Sequence, residues 1–265
     1  MNGVADSIWT HWHGHPEVLM GLAALQGLYI LGVGPIRERY DLGDRPEPRQ
    51  VATFTLGVLV IFFSLLSPLH ELSDRYLFSA HMLQHVLLTL LAPPLLILGT
   101  PDWLLRPLLR PYAIFRMARI ATHPVLAFFA FTIVFSIWHL PILYGMSLTH
   151  RSVHIVEHLM FMAAAMLLWW PLTSNMPELP RLSYPLQMVY LILLSIAQIL
   201  VFAPIVFSTV PIYHWYVDAP RIWALSPVTD QQIGAIIMKM GSGAIFLTLI
   251  IAARRTLSTS TPGWM

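Results

Sequence analysis

Seven long apolar segments constrain this chain more than any other feature of its sequence. They run over about residues 18–36, 51–70, 77–98, 123–144, 152–172, 184–210 and 231–252. Each is close to the roughly 20 mostly apolar residues that an α-helix needs to cross a bilayer. Charged or proline-containing stretches separate the segments. The sequence therefore predicts an all-α integral membrane protein with seven transmembrane helices.

The composition agrees with a chain that is solvated by lipid. Hydrophobic residues make up 57% of the sequence and charged residues only 11%, whereas a soluble domain carries about 25% charged residues. Cysteine is absent, which excludes disulfides and thiolate metal sites. The sequence contains no run of basic residues that would indicate a nucleic-acid partner. We expect one polytopic domain over 1–265, divided into a histidine-rich arm (1–17), the seven-helix bundle (18–252) and a tail (253–265).

The arginines predict the orientation of the bundle. With the N-terminus outside and the C-terminus in the cytoplasm, eleven arginines lie in inner segments and three in outer segments. An excess of Lys and Arg marks the cytoplasmic side. For a bacterial inner (plasma) membrane, the outer side would face the periplasm or the cell exterior.

Histidines gather at the predicted outer side. Of twelve histidines, only His123 falls on the inner side. Two pairs have a spacing of four residues, which places each pair on one helix face. A further histidine closes the fourth segment. The candidate metal ligands are therefore His81, His85, His139, His154 and His158. Ionisable groups inside a bilayer usually mark function, so these five predict a metal or cofactor site.

Several neighbours are candidate accessory groups. Glu157 can bind a metal, accept a proton or orient an imidazole. Met82, Met162 and Met238 either supply thioethers, which favour cuprous copper, or fill the core.

Two polar residues of the last segment have alternative interpretations. Asp230 either caps its own helix or faces the histidines. Lys239 needs a polar partner within the membrane, and its depth makes Glu157 a candidate.

The N-terminal arm also carries histidines, at positions 11, 13 and 15. His11, His13 and His15 predict either a metal-capturing arm or part of an aromatic belt at the membrane interface.

Taken together, these motifs resemble the bacterial cytochrome c oxidase assembly factors called CtaG (caa3-type oxidase assembly factors). The resemblance rests on His81-Met82-Leu83-Gln84-His85 with Ala92-Pro93-Pro94, Trp138-His139-x-Pro141, His154-x-x-Glu157-His158, Trp169-Trp170-Pro171 and Asp230-Gln231-Gln232. It implies a seven-helix membrane protein that helps a haem–copper oxidase to mature, at its copper-delivery stage. The chain departs from the expected pattern at Lys239, where an aromatic residue is expected, and in the order of Ile233-Gly234-Ala235.

We therefore expect a membrane assembly factor that binds copper and helps deliver it, rather than an enzyme. Its expected partners are the lipid bilayer and either an oxidase subunit or a copper chaperone. Alternatives remain open from the residues alone. They are a redox enzyme with bis-histidine haem, a metal-ion transporter, and a zinc site with Glu157 as a base.

Overall fold

The structure is a computed structural model that describes residue 12 and residues 14–260, with side chains as far as residue 247. Helices dominate these residues, and no strand occurs among them. The predicted all-α architecture is confirmed.

Twelve helices, α1 to α12, organise the described chain. In order they are Pro16–Tyr40, Pro48–Leu66, Pro68–Arg75, Phe78–Gly99, Asp102–Leu109, Tyr112–Ala121, Pro124–Trp138, Pro141–Thr149, Arg151–Thr173, Tyr184–Ala197, Ile199–Phe207 and Pro227–Ser260. Helices α1 and α4 each contain a π-helical turn, at Gly32–Ile36 and Leu87–Leu91. A short 3-10 turn at His214–Tyr216 lies between α11 and α12.

Helix α4 lies at the centre of the bundle. It packs against α2, α9 and α12, and the short helix α3 lies against its first turns. Gly234 allows α12 to approach closely, because a Cβ at this position would lie 2.4 Å from Phe78 Cδ1. The residues at the start of α4 are therefore in direct contact with the last helix.

Two prolines explain the π-helical turn within α4. Pro93 and Pro94 lack a backbone N–H, so the carbonyls one turn earlier lose their usual helical partners. Trp169 of α9 compensates, since its indole N–H donates to the Thr89 carbonyl at 2.8 Å. The proline pair thus leaves a carbonyl of α4 available to a side chain of a neighbouring helix.

Five of the described helices are long and apolar enough to cross a membrane: α1, α2, α4, α9 and the α10–α11 pair Tyr184–Phe207. A sixth span arises if α6 and α7, which meet at a bend of 66°, are counted together. The seventh predicted segment, 231–252, lies in α12 and extends beyond residue 247, the last residue whose side chain is described. The multi-pass architecture is supported, while the count of seven and the orientation stay predictions.

The loops and helix termini lie at two ends of the bundle. The histidine end comprises residues 67–85, 139–158 and 208–230, and the arginine end comprises residues 41–47, 100–123 and 174–183. Several predicted spans are interrupted near these ends. The second segment breaks at Ser67, whose hydroxyl caps α3, and the fourth segment ends at Trp138 before a new helix begins at Pro141.

Candidate metal centre

The first two candidate ligands, His81 and His85, lie on the buried first half of α4. Their rings stack with centroids 4.4 Å apart, as the spacing of four residues predicts. His81 is fully buried and His85 is 5% exposed. These two imidazoles therefore face protein rather than lipid.

Asp230 of α12 fixes the start of this helix. Its carboxylate accepts hydrogen bonds from the backbone N–H groups of Phe78 at 2.7 Å and Ser79 at 3.2 Å, and from the Ser79 hydroxyl. Of the two interpretations of Asp230, the one in which it caps its own helix is wrong, because α12 begins at Pro227 and the Ser226 hydroxyl accepts from Thr229 N. Asp230 instead holds the turn that carries His81.

The second pair, His154 and His158, lies on the first turns of α9 and faces the first pair. The two rings are 4.4 Å apart. His154 lies 6.0 Å from His81, and His158 lies 5.7 Å from His85, between ring centroids. Two helices therefore bring four imidazoles into one cluster.

His139 completes the group of five from the end of α7. Its ring centroid is 6.2 Å from that of His85. Its Nδ1 lies 2.6 Å from the Phe135 carbonyl oxygen, and because a carbonyl can only accept, Nδ1 carries the proton. The neutral ring then has its lone pair on Nε2, as metal-binding histidines commonly do.

Glu157 lies beside His81 and His85 and is fully buried. Its Oε1 is 3.9 Å from His85 Nε2. Neither carboxylate oxygen has a hydrogen-bond partner among the described residues. The neighbouring Ser147 hydroxyl donates to the Tyr144 carbonyl instead. This carboxylate is therefore directed at the imidazoles.

Most polar atoms of the cluster are buried without a hydrogen-bond partner in the described part of the chain. These atoms are both ring nitrogens of His81, His85 and His158, Nε2 of His139 and His154, and both carboxylate oxygens of Glu157. Native proteins leave few buried polar atoms unpaired, because each costs about 1–3 kcal/mol. A set of this size in one place fits a site that binds a metal ion.

Two groups within the cluster have ligand atoms close enough to share an ion. In each group, one atom from each side chain lies within 4.8 Å of the others. The first group is His81, His85 and Glu157, and the second is Asp74, His81 and His154. His81 belongs to both groups. His139 and His158 adjoin them without belonging to either.

Aromatic side chains enclose the cluster. Tyr144 lies 5.1 Å from His81, and Phe161 lies 4.5 Å from His85, between ring centroids. The Tyr213 hydroxyl donates to the His139 carbonyl at 2.9 Å. Burial raises the pKa of Tyr213, so this hydroxyl remains a neutral donor. The tyrosines thus hold the surrounding loop in place and limit the access of water.

The methionines lie around the cluster in different roles. Met82 is fully buried against Phe78 and Tyr144, and Met162 packs against the apolar cluster between α2 and α4. Met238 lines a small cavity beside His85. Of these three, Met238 lines the same cavity as His85, and thioether ligation stays a prediction.

Lys239 has partners other than the one suggested by its depth. Its ammonium group donates to the Ser195 carbonyl at 2.8 Å and to the Ser195 hydroxyl at 2.7 Å, and it lies over the Phe202 ring. The expected pairing with Glu157 is therefore not formed. The reason is the face of α12 on which Lys239 lies, since this face contacts α10 and α11 rather than α9.

Only part of the N-terminal arm can be placed. His11 and His13 lie outside the described residues. His15 lies at the start of α1, with its ring centroid 5.1 Å from that of His70. Trp12 packs against Phe62 and Phe63 of α2.

Two residues of α3, His70 and Asp74, were not among the predicted site residues. Asp74 Oδ2 lies 3.5 Å from His70 Nε2 and 3.7 Å from His154 Nδ1. Their spacing of four residues was visible in the sequence. A continuous span over residues 51–70 places the two residues in different elements, whereas in the structure both lie on the short helix that follows Ser67.

Comparison with known proteins identifies the family of this chain. A family model described as "Cytochrome c oxidase caa3 assembly factor (Caa3_CtaG)" matches residues 27–260. No curated protein and no solved structure matches. The matched region contains all five candidate histidines and Glu157, and it covers most of the chain. The resemblance inferred from the motifs is thereby confirmed, and the chain belongs to the cytochrome c oxidase caa3 assembly factor family.

Proposed function

We propose that this assembly factor binds copper at its histidine cluster and helps deliver the ion to a subunit of the oxidase. The observation that carries the proposal is the convergence of five imidazoles and Glu157 with most of their polar atoms buried and unpaired. In this function copper is the cargo, and the protein acts as a metallochaperone rather than as a catalyst.

The donor set suits a copper ion. Neutral imidazole nitrogens are common copper ligands, and the cluster supplies several of them from three helices. A carboxylate oxygen from Glu157 is available at the same place. More donors are present than one ion requires. A surplus of ligands allows an ion to change partners without losing all its bonds, which suits binding followed by release.

Charge balance favours the cuprous ion over zinc. Burying an uncompensated charge is costly in a low-dielectric interior. A cuprous ion and an ionised Glu157 together carry no net charge, whereas a zinc ion beside the same carboxylate leaves one positive charge. Zinc therefore requires a second buried anion, and Asp74, the nearest candidate, lies at the more exposed side of the cluster.

A haem cofactor is less compatible with this packing. The cavity beside His85 has a volume of about 20 Å³, enough for about one water molecule. His85, Phe135, Phe161 and Met238 line it together. A porphyrin would have to separate α4, α7, α9 and α12.

Transport across the bilayer is also disfavoured. Thr89, Gln198 and Ser242 extend the polar surface one step beyond His85. Beyond them lies an apolar core built around Leu90, Phe131 and other buried side chains. Of the side chains packed in that core, the Met166 thioether could bind a cuprous ion, but no imidazole or carboxylate is among them.

Metal analysis tests the proposal. The protein is purified without a polyhistidine tag, reconstituted in lipid nanodiscs, exposed to cuprous ion under reducing conditions, and analysed by mass spectrometry for copper, zinc and iron. We expect retained copper in the unmodified protein. A variant with all five histidines replaced by alanine should lose it, whereas His214→Ala, which removes an exposed histidine at the same end, should not.

Oxidase maturation provides the functional half of the test. The same variants are expressed in cells that lack the native protein, and cytochrome c oxidase activity is measured in their membranes. We expect the five-histidine variant to fail and His214→Ala to restore activity. No retained copper together with full activity of the five-histidine variant would refute the proposal.

A further inference from the structure

The two groups of ligand atoms differ in their access to water. In the group nearer the surface, the Asp74 side chain is 29% exposed and the His154 side chain is 12% exposed. In the deeper group, His85 is 5% exposed and Glu157 is fully buried. His81, which belongs to both groups, is itself fully buried. The cluster therefore has an outer part and an inner part joined by one imidazole.

Asp74 is held in place as a carboxylate that faces the cluster. The Gln84 side-chain amide donates to the Ser64 carbonyl at 2.7 Å and lies 3.1 Å from His70 Nδ1. An amide nitrogen can only donate, so His70 Nδ1 accepts and the neutral ring carries its proton on Nε2. That Nε2 faces Asp74 Oδ2. His70 therefore positions the carboxylate and is not itself a free ligand.

We propose that Asp74, His81 and His154 form an outer station for the copper cargo, from which His81 passes the ion to an inner station of His81, His85 and Glu157. The inference rests on the proposed copper-binding function and adds the direction and the order of binding. In the transfer the ion gives up its bonds to Asp74 and His154, gains bonds to His85 and Glu157, and keeps His81. No electron is exchanged.

Sharing His81 limits the cluster to one ion at a time in these two stations. A neutral imidazole has one lone pair, because its other nitrogen carries a proton. His81 therefore binds in the outer or the inner station but not in both. Each station contains one carboxylate, so a cuprous ion meets one compensating negative charge at both positions.

The outer station also lies close to the N-terminal arm. His15 contacts His70, and the His70 ring is 5.9 Å from that of His154. An ion captured near the start of α1 would thus meet the outer station first. A negative charge at this point attracts cations, and clefts lined by charge of one sign raise association rates by roughly 10- to 1,000-fold.

Uptake kinetics separate the two stations. The untagged protein in nanodiscs is mixed with cuprous ion bound to a chromophoric chelator. The change in chelator absorbance gives the rates of copper uptake and release, and its final value gives the affinity of the protein for copper at equilibrium. We expect Asp74→Asn to slow uptake and release by roughly tenfold, with the affinity changed less than about twofold. Asp218→Asn is the matched control, because it removes an exposed carboxylate at the same end of the bundle.

Glu157→Gln should give the opposite pattern. It removes the inner carboxylate, so the affinity should fall while uptake remains fast. Asp74→Glu keeps the negative charge and should recover most of the uptake rate, which separates loss of charge from misfolding. Copper at saturation should be one ion per chain.

Three results would overturn the inference. They are an Asp74→Asn uptake rate equal to that of Asp218→Asn, an Asp74→Asn variant that loses affinity as strongly as Glu157→Gln, and two ions per chain in these stations. The unmodified protein binding no copper at all is a different result, since it would refute the proposed function itself.

Discussion

Polar side chains differ in exposure and in pairing between the two ends of the bundle. At the arginine end, Arg106 lies 2.7 Å from Asp102 and 3.0 Å from Glu178, and all three side chains are partly exposed to solvent. At the histidine end, Glu157 and the imidazoles around it are buried, most of their polar atoms without partners. Exposed ion pairs add little to stability, whereas buried unpaired groups reduce it. The ion pairs at the arginine end therefore contribute little to stability, whereas the buried polar groups at the histidine end lower it unless a ligand satisfies them.

The largest expected effect concerns the anchor of the histidine end. Asp230→Ala leaves the backbone N–H groups of Phe78 and Ser79 without their acceptor. Each buried unpaired donor costs about 1–3 kcal/mol, so for two donors we expect the free energy of unfolding to fall by roughly 2–6 kcal/mol. Thermal unfolding in nanodiscs measures the change. Asp218→Ala is the control, and equal stabilities of the two variants would contradict the role given to Asp230.

A smaller effect of opposite sign tests the cluster itself. His158→Leu replaces an imidazole whose two nitrogens are unpaired with an apolar side chain, so the metal-free protein should become more stable by about 1 kcal/mol. Copper should then stabilise the variant less than it stabilises the unmodified protein, as thermal unfolding with and without the ion would show. His214→Leu, at an exposed position, should change neither quantity. A destabilised metal-free His158→Leu protein would show that the imidazole contributes to the fold instead.

The smallest effect is expected at the arginine end. Arg106→Gln removes both ion pairs to Asp102 and Glu178, yet the arginine side chain is 47% exposed. We expect the free energy of unfolding to change by less than about 1 kcal/mol, and less still at high salt. Unfolding measured at two salt concentrations checks this. A large loss of stability here would remove the contrast between the two ends.

The clustering of the histidines could be predicted from the sequence because it depends on local geometry. A spacing of four residues places His81 with His85 and His154 with His158 on any helix. The ends of successive membrane helices alternate between two sides, so His139 had to lie near the second pair. Periodicity and segment length were sufficient for both steps.

The remaining contacts of the site could not be predicted in this way because they join distant parts of the chain. Asp230 caps a helix that begins about 150 residues earlier, and Lys239 turns towards Ser195. Such contacts depend on how the helices are rotated against each other, which the pattern of apolar residues does not specify in a chain surrounded by lipid. Asp74 belongs to a short helix that a membrane-length pattern conceals.

The two hydrogen-bonded supports of α4 have a mechanical consequence. Asp230 holds the helix at Ser79, and Trp169 holds it at Thr89. The ten residues between these points span about 15 Å, and both His81 and His85 lie within them. A helical segment that is held at two points so close together bends very little. Under the proposed function, we therefore expect the opening that admits or releases the ion to come from the first turns of α9 and from helix α3, which carries Asp74, rather than from this part of α4.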